Sequence, residues 1–208
     1  MNESNIKVVA INGGTEQGSN TAALLGCVLA ELQAHGIQTE LIELRGLEIH
    51  DCAECTECSI SKDRRCTRTN DAGNALIEKM AQADGILLGS PADEADVSPE
   101  MKALMVRGGI VARANDQMFR RKVGAAVVSM RHAGAMLTFD ALNHFFLINE
   151  MIVPGSSFWN TCISSEGNAS QIDPVSLENM KTLGRSLAWL LNVRNSASIP
   201  DLETILAP

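Results

Sequence analysis

Hydrophobic positions along the chain follow two rhythms that alternate. Residues 6–12, IKVVAIN, form an unbroken apolar run; GGTEQGSN follows, and then TAALLGCVLAELQAHG, in which apolar residues return every three or four positions until a glycine. A short unbroken run suits a strand buried on both faces, and three-four spacing suits an amphipathic helix, so the order predicts strand, glycine-rich turn, helix. The alternation recurs. IQTELIEL (37–44), GILLGSP (85–91), KVGAAVVSM (122–130) and MIVPGS (151–156) predict four further strands. AGNALIEKMAQA, SPEMKALMVRGGIVAR, GAMLTFDALNHFFLINE and DPVSLENMKTLGRSLAWLLN predict helices, the last opening on a proline in its first turn, where the missing N–H is no loss.

Five apolar strands interleaved with helices predict an α/β class fold, a doubly wound parallel sheet covered on both faces. Right-handed crossovers leave few topologies, and five strands favour the order 2-1-3-4-5, with a ligand beyond the carboxyl ends at the switch point. The expected organisation is one domain over 1–195 carrying a long polar loop at 50–70, and a terminal arm at 196–208 that packs on a partner subunit.

Composition narrows the partners. A net charge of -8 disfavours a nucleic-acid backbone, which requires a concentrated basic face. No apolar run reaches the roughly 20 residues that span a bilayer, and MNESNIKVVAI lacks the basic start of a secretory signal, so the expected location is the cytoplasm.

In a reducing compartment, clustered thiols point to metal or redox chemistry. The loop HDCAECTECSISKDRRCTRTN gathers Cys52, Cys55, Cys58 and Cys66, four of the chain's six cysteines. Three sulfurs at x2 spacing on one tight bend, with a fourth from the returning chain, suit a cubane whose irons each take one thiolate. Zinc bound by four cysteines and uncoordinated thiols are the other readings. Cys27 and Cys162 read as core or surface residues.

Three loops at the carboxyl ends carry the remaining candidates. In NGGTEQGSNT (12–21), Ser19, Asn20 and Thr21 stand where a helix begins, so that backbone amides and hydroxyls converge as a phosphate requires; a plain N-cap is the alternative. GSPADEADVS (89–98) leaves the sheet in the direction set by Pro91, and SMRHAG (129–134) brings Arg131. His35, His50, His132 and His144 are scattered, and no nucleophile–base–acid arrangement emerges.

The stretches VVAINGG…GSNTAALL, CAECTECSISKDRRC, ADGILLGSP, ADVSPEMKALMVR, KVGAAVVSMRHAG, HFFLINEMIVPGS and LGRSLAWLL together resemble the iron-sulfur flavoproteins of the NAD(P)H-dependent FMN reductase group, which are flavodoxin-like. The four-cysteine pattern is the specific part; the others are shared with flavin reductases that lack a cluster. The resemblance implies a 4Fe-4S cluster on Cys52, Cys55, Cys58 and Cys66. It implies FMN held by Gly14, Thr15, Gln17, Ser19, Asn20 and Thr21 after the first strand, by Ser90, Pro91, Ala92 and Asp93 after the third, and by Met130, Arg131 and Gly134 after the fourth. It also implies a homodimer or homotetramer that exchanges electrons with ferredoxin or NAD(P)H. Two departures stand out. Relatives commonly carry Gly-Ser-Pro-Arg where this chain has Gly13, Gly14, Thr15 and Glu16, and Ser-Pro-Thr-Tyr-Phe where it has Ser90, Pro91, Ala92, Asp93 and Glu94; the chain contains no tyrosine. The leading expectation is a redox protein linking FMN, the cluster and an external donor or acceptor. A cluster-free NAD(P)H-dependent FMN or quinone reductase and a flavin-free binding or sensing module are the alternatives.

Overall fold

The computed structural model describes residues 6–163 and 172–196; the arm expected at 196–208 lies outside them except for Ser196. The strands are β1 (Lys7–Asn12), β2 (Gln38–Glu43), β3 (Gly85–Pro91), β4 (Val123–Met130) and β5 (Thr161–Ile163). The helices are α1 (Asn20–Ala34), α2 (Glu57–Ser61), α3 (Gly73–Gln82), α4 (Pro99–Ala114), α5 (Ala135–Ile148) and α6 (Pro174–Ser196). All neighbouring strands pair in parallel in the order β2-β1-β3-β4-β5, as the alternation predicts.

Successive strand residues face opposite sides, which splits the apolar content into two cores. Val9, Ile11, Ile86, Leu88, Ala126 and Val128 face α3, α4 and α5, where they meet Leu76, Met101, Leu104 and Phe146. Val8, Ala10, Leu87, Ala125 and Val127 face α1 and α6, meeting Leu24, Val28, Leu183 and Leu187. Cys58 and Cys66 belong to the first core, which anchors the cysteine loop against the α3–α4 side.

Three details differ from the sequence reading. The stretch 50–70, read as a long loop, contains the short helix α2. β2 is a sheet edge whose six residues are mostly exposed, so its apolar residues do not mark burial on both faces. MIVPGS is not the fifth strand. Ile152 makes one parallel bridge to Val123, and Pro154, which has no N–H to offer a ladder, follows two residues later. The chain returns to the sheet at β5, where Thr161–Ile163 pairs with Val128–Met130.

Candidate functional sites

Beyond the carboxyl ends of β1, β3 and β4 lies an open cleft of about 600 Å³. Its floor starts with Asn12, fully buried, whose carboxamide oxygen accepts from Gly14 N (2.9 Å) and whose Nδ2 donates to Glu43 (2.6 Å). A Cβ at Gly14 would come within 2.4 Å of Ser19 Oγ, so the turn closes only without a side chain there. Ser19 caps α1 by accepting from Ala22 N (3.2 Å), and no acidic residue occupies the first helical turn, leaving its positive end for an anion. Thr21 and Ser129 hydroxyls join at 2.7 Å beneath the cleft. On the far wall Asp93 and Asp96 pair as a two-residue hairpin whose tip residues, Glu94 and Ala95, both take left-handed φ (47° and 62°). Across the mouth Glu16 meets Arg131 at 3.8 Å, both well exposed.

Gly14, Thr15, Ser19, Asn20, Thr21, Pro91, Ala92, Asp93, Met130 and Arg131 line this cleft. Three expected residues do not. Gln17 sits exposed on the outer turn. Ser90 is buried and turned inward, its hydroxyl bonded to Pro91 O (2.8 Å) and accepting from Ser98 N (2.9 Å). Gly134, at φ 92°, packs on Ala95 and caps α5. Glu16, Glu94, Ser129, His132 and Ala133 line the cleft in addition. The donor set and the cradle fit an FMN phosphate at the α1 end.

The second site is a smaller cavity, about 290 Å³, and Cys52, Cys55, Cys58 and Cys66 all line it together with Thr67, Arg68, Arg107 and Val111. Glu54, Thr56, Lys62 and Arg64 all adopt left-handed φ, which curls the loop tightly; Cys58 and Cys66 are buried and Cys55 is exposed, and among the described residues no three of these side chains converge on one metal-ion position. Such residues cost on the order of 1–3 kcal/mol each, so something must hold them. Buried polar side chains do so. Asn74 accepts from Cys66 N and donates to Cys66 O (both 2.8 Å) and to Arg68 O (2.9 Å). Asn115 accepts from Arg64 N (2.8 Å) and donates to Val111 O (2.8 Å) and, more weakly, to Cys58 O (3.4 Å).

Below them Arg107 and Asp71 form a bidentate ion pair at 2.6 and 2.7 Å, with side chains 1 % and 0 % exposed. Asp71 also accepts from His50 N (2.8 Å) and Gly73 N (3.0 Å), and Arg107 donates to His50 O (3.1 Å), so the pair ties the loop's entrance to its exit. The hydrogen bonds from Arg107, aided by those backbone amides, hold the Asp71 carboxyl well below the usual carboxylate range against the opposing effect of burial.

The four thiols differ. Cys58 is pushed up by burial and then by the neighbouring charges of Cys52, Cys66 and Cys55. Cys55 is drawn down by the backbone N–H of Glu57 and by the Thr67 hydroxyl 3.6 Å away. Glu54 N donates to Cys52 Sγ at 3.4 Å. Soft, clustered, mutually repelling sulfur donors suit a thiophilic cationic metal centre.

The supports Asn74, Asn115 and Asp71 were not read from the sequence. Arg107 left a signal: it interrupts the buried stripe Met101, Leu104, Gly108 and Val111 of α4, where a charge needs a buried partner.

A family model described as NADPH-dependent FMN reductase matches residues 6–164. The chain belongs to this family of flavin-dependent redox proteins. Among curated relatives it is 33 % identical over 195 residues to an iron-sulfur flavoprotein of Methanocaldococcus jannaschii, covering 90 % of this chain and 98 % of that one. It is 26 % identical to an iron-sulfur flavoprotein of Methanosarcina thermophila, covering 90 % and 96 %. Similar solved folds include RosB with bound 8-demethyl-8-formylriboflavin-5'-phosphate (TM-score 0.73, 14 % identity, 96 % of this chain and 84 % of that one). A flavodoxin from the domain Archaea is also similar (0.61, 14 %, 90 % and 99 %), as the flavodoxin-like fold requires. No helix among the described residues is long and apolar enough to cross a membrane.

Proposed function

We propose that this chain is an electron-transfer flavoprotein that holds FMN in the cleft and a 4Fe-4S cluster in the cysteine cavity. The observation that carries the reading is the common cavity: four cysteines separated by up to fourteen positions line one enclosure of about 290 Å³. A single zinc would draw four sulfurs to about 2.3 Å of one point, whereas sulfurs around the wall of such a cavity suit a compact body with a ligand position on each iron. The relatives named iron-sulfur flavoprotein share nearly the whole chain, which supports the same assignment.

Bound FMN exchanges two electrons or one and a cubane one at a time, so the pair links hydride donors such as NAD(P)H to single-electron partners such as ferredoxin. The chain's own contribution is placement. Gly14, Thr15, Ser19, Asn20 and Thr21 form the anion cradle, while Pro91, Ala92 and Asp93 on one side and Met130 and Arg131 on the other bound the space for a planar ring. Arg131 draws Glu16 toward itself, which offsets that carboxylate's repulsion of a phosphate. Asp93 and Glu94, in place of aromatic residues, make this wall polar and disfavour added negative charge beside it.

Self-association is part of the reading. Phe158, Trp159 and Trp189 are 71, 54 and 68 % exposed, and they flank Pro154 and Gly155, making an apolar surface of the kind subunit contacts cover.

The test is anaerobic titration of the purified protein with FMN, followed by reductive titration with reduced ferredoxin and with NADPH in parallel. Stoichiometric FMN uptake and reduction by one of these donors are expected. No binding at micromolar FMN would favour the flavin-free module, and flavin reduction in an iron-free protein would favour the cluster-free reductase.

A further inference from the structure

Arg107 has more donors than partners. Nη1 gives to Asp71 and to His50 O, and Nη2 gives to the other Asp71 oxygen, but the buried Nε–H has no partner among the described residues. The side chain is 1 % exposed, which shuts it off from bulk solvent. It also lines the cysteine cavity, beside Cys52, Cys58 and Cys66. Its placement is built in: a Cβ on Gly73 would fall 1.9 Å from Nη2 and 2.3 Å from Cζ, so a glycine clears the space for the guanidinium. Asp71 takes four donors, two from Arg107 and one each from His50 N and Gly73 N, which fills the carboxylate's acceptor positions.

We infer that Arg107 is a positioning residue for the cluster, donating through Nε to a cysteine sulfur of the cavity and raising the cluster's reduction potential. The inference rests on the cluster reading above. Hydrogen bonds to ligating sulfur withdraw electron density and favour the reduced state, as does a fixed positive charge close by; outer contacts of this kind tune metal centres without touching the metal. The pairing with Asp71 is what makes a buried guanidinium tolerable there.

The experiment compares wild-type protein, reconstituted anaerobically with iron and sulfide, with Arg107→Lys and with the charge-free double variant Asp71→Asn/Arg107→Gln. Iron and sulfide are counted first, and the cluster is then titrated potentiometrically with EPR detection. Both variants should carry the wild-type complement of iron and titrate at lower potential. The double variant should shift further, because Arg107→Lys keeps the positive charge while losing the Nε–H together with the guanidinium fork. A merely structural role would change iron content or stability and leave the potential of the loaded fraction alone. Loaded variants that titrate at the wild-type potential overturn the inference; wild-type protein that takes up no iron overturns the cluster reading itself. Should neither variant accept a cluster, Arg68→Lys protein labelled with 15N only in arginine answers by pulsed EPR of the reduced state. A 15N coupling is expected from Arg107, and its absence overturns the inference.

Discussion

The two sites are built in opposite ways. The cleft is broad, open and assembled from three separate loops, with much of its wall made by short-range turns: Asn12 to Gly14, Ser19 to Ala22, Asp93 to Asp96. The cysteine cavity has half that volume and is held from beneath by buried polar side chains, Asn115, Asp71 and Arg107 reaching across the sequence and Asn74 bonding the nearby returning chain. The difference follows from the groups that make each wall. An anion cradle is supplied by backbone amides at a helix start, which any strand-to-helix turn provides. Four sulfurs repel one another as thiolates and sit on a backbone with four left-handed residues, so their arrangement needs external bracing.

That contrast predicts which changes damage which site. The largest effect belongs to Cys66→Ser, at the buried end of the cavity: iron and sulfide should fall from the full complement to near zero, with FMN affinity unchanged, measured by metal analysis and flavin titration. Retained iron would break the separation between the sites.

Next comes Asp71→Asn, which leaves Arg107 buried without its counter-charge and should cost about 3–5 kcal/mol in urea unfolding. The same residue sets a pH dependence. Its folded-state pKa is depressed by the hydrogen bonds from Arg107, so its contribution is present above the unfolded value of about 4 and is lost as pH falls below it. Wild-type stability should therefore drop more steeply below pH ~4 than that of the Asn variant.

Asn74→Ala removes the side chain that satisfies Cys66 N, Cys66 O and Arg68 O, and should cost about 1–3 kcal/mol while speeding iron loss to a chelator. Gly14→Ala tests the other site. Its methyl would crowd Ser19 Oγ, and FMN affinity should fall on the order of tenfold, about 1.4 kcal/mol, with iron content intact. Smallest of all, Glu16→Gln removes a well-exposed carboxylate at the cleft mouth. It should tighten FMN by a factor of about three and shift stability by less than about 1 kcal/mol.

The strands and helices were legible because a buried parallel sheet writes itself as unbroken apolar runs. The exceptions have physical causes. IQTELIEL carries Thr39, Glu40 and Glu43 among its apolar residues because β2 lies at an edge, and MIVPGS reads as a strand although Pro154 stops its ladder and the true fifth strand is three residues long. That Cys52, Cys55, Cys58 and Cys66 gather at one cavity was legible from their short spacing on one loop. Their supports were not, since Asn74 and Asn115 have no chemistry of their own and act only through backbone groups that folding brings to them. Arg107 lies between: its charge on an apolar stripe marked it, but the carboxylate answering it stands 36 positions away. In the cleft, Ser90 and Gly134 were assigned to lining because they flank the right loops, whereas their roles are to brace Ser98 and to turn the chain into α5.

The central claim is that the cysteine cavity holds a four-iron cluster. Iron, acid-labile sulfide and zinc measured on protein purified without oxygen, together with EPR of the dithionite-reduced sample, test it most directly. Four iron and four sulfide per chain with a reduced-cluster EPR signal are the predicted result; protein that carries one zinc or no metal, and gives no such signal after reconstitution, contradicts it.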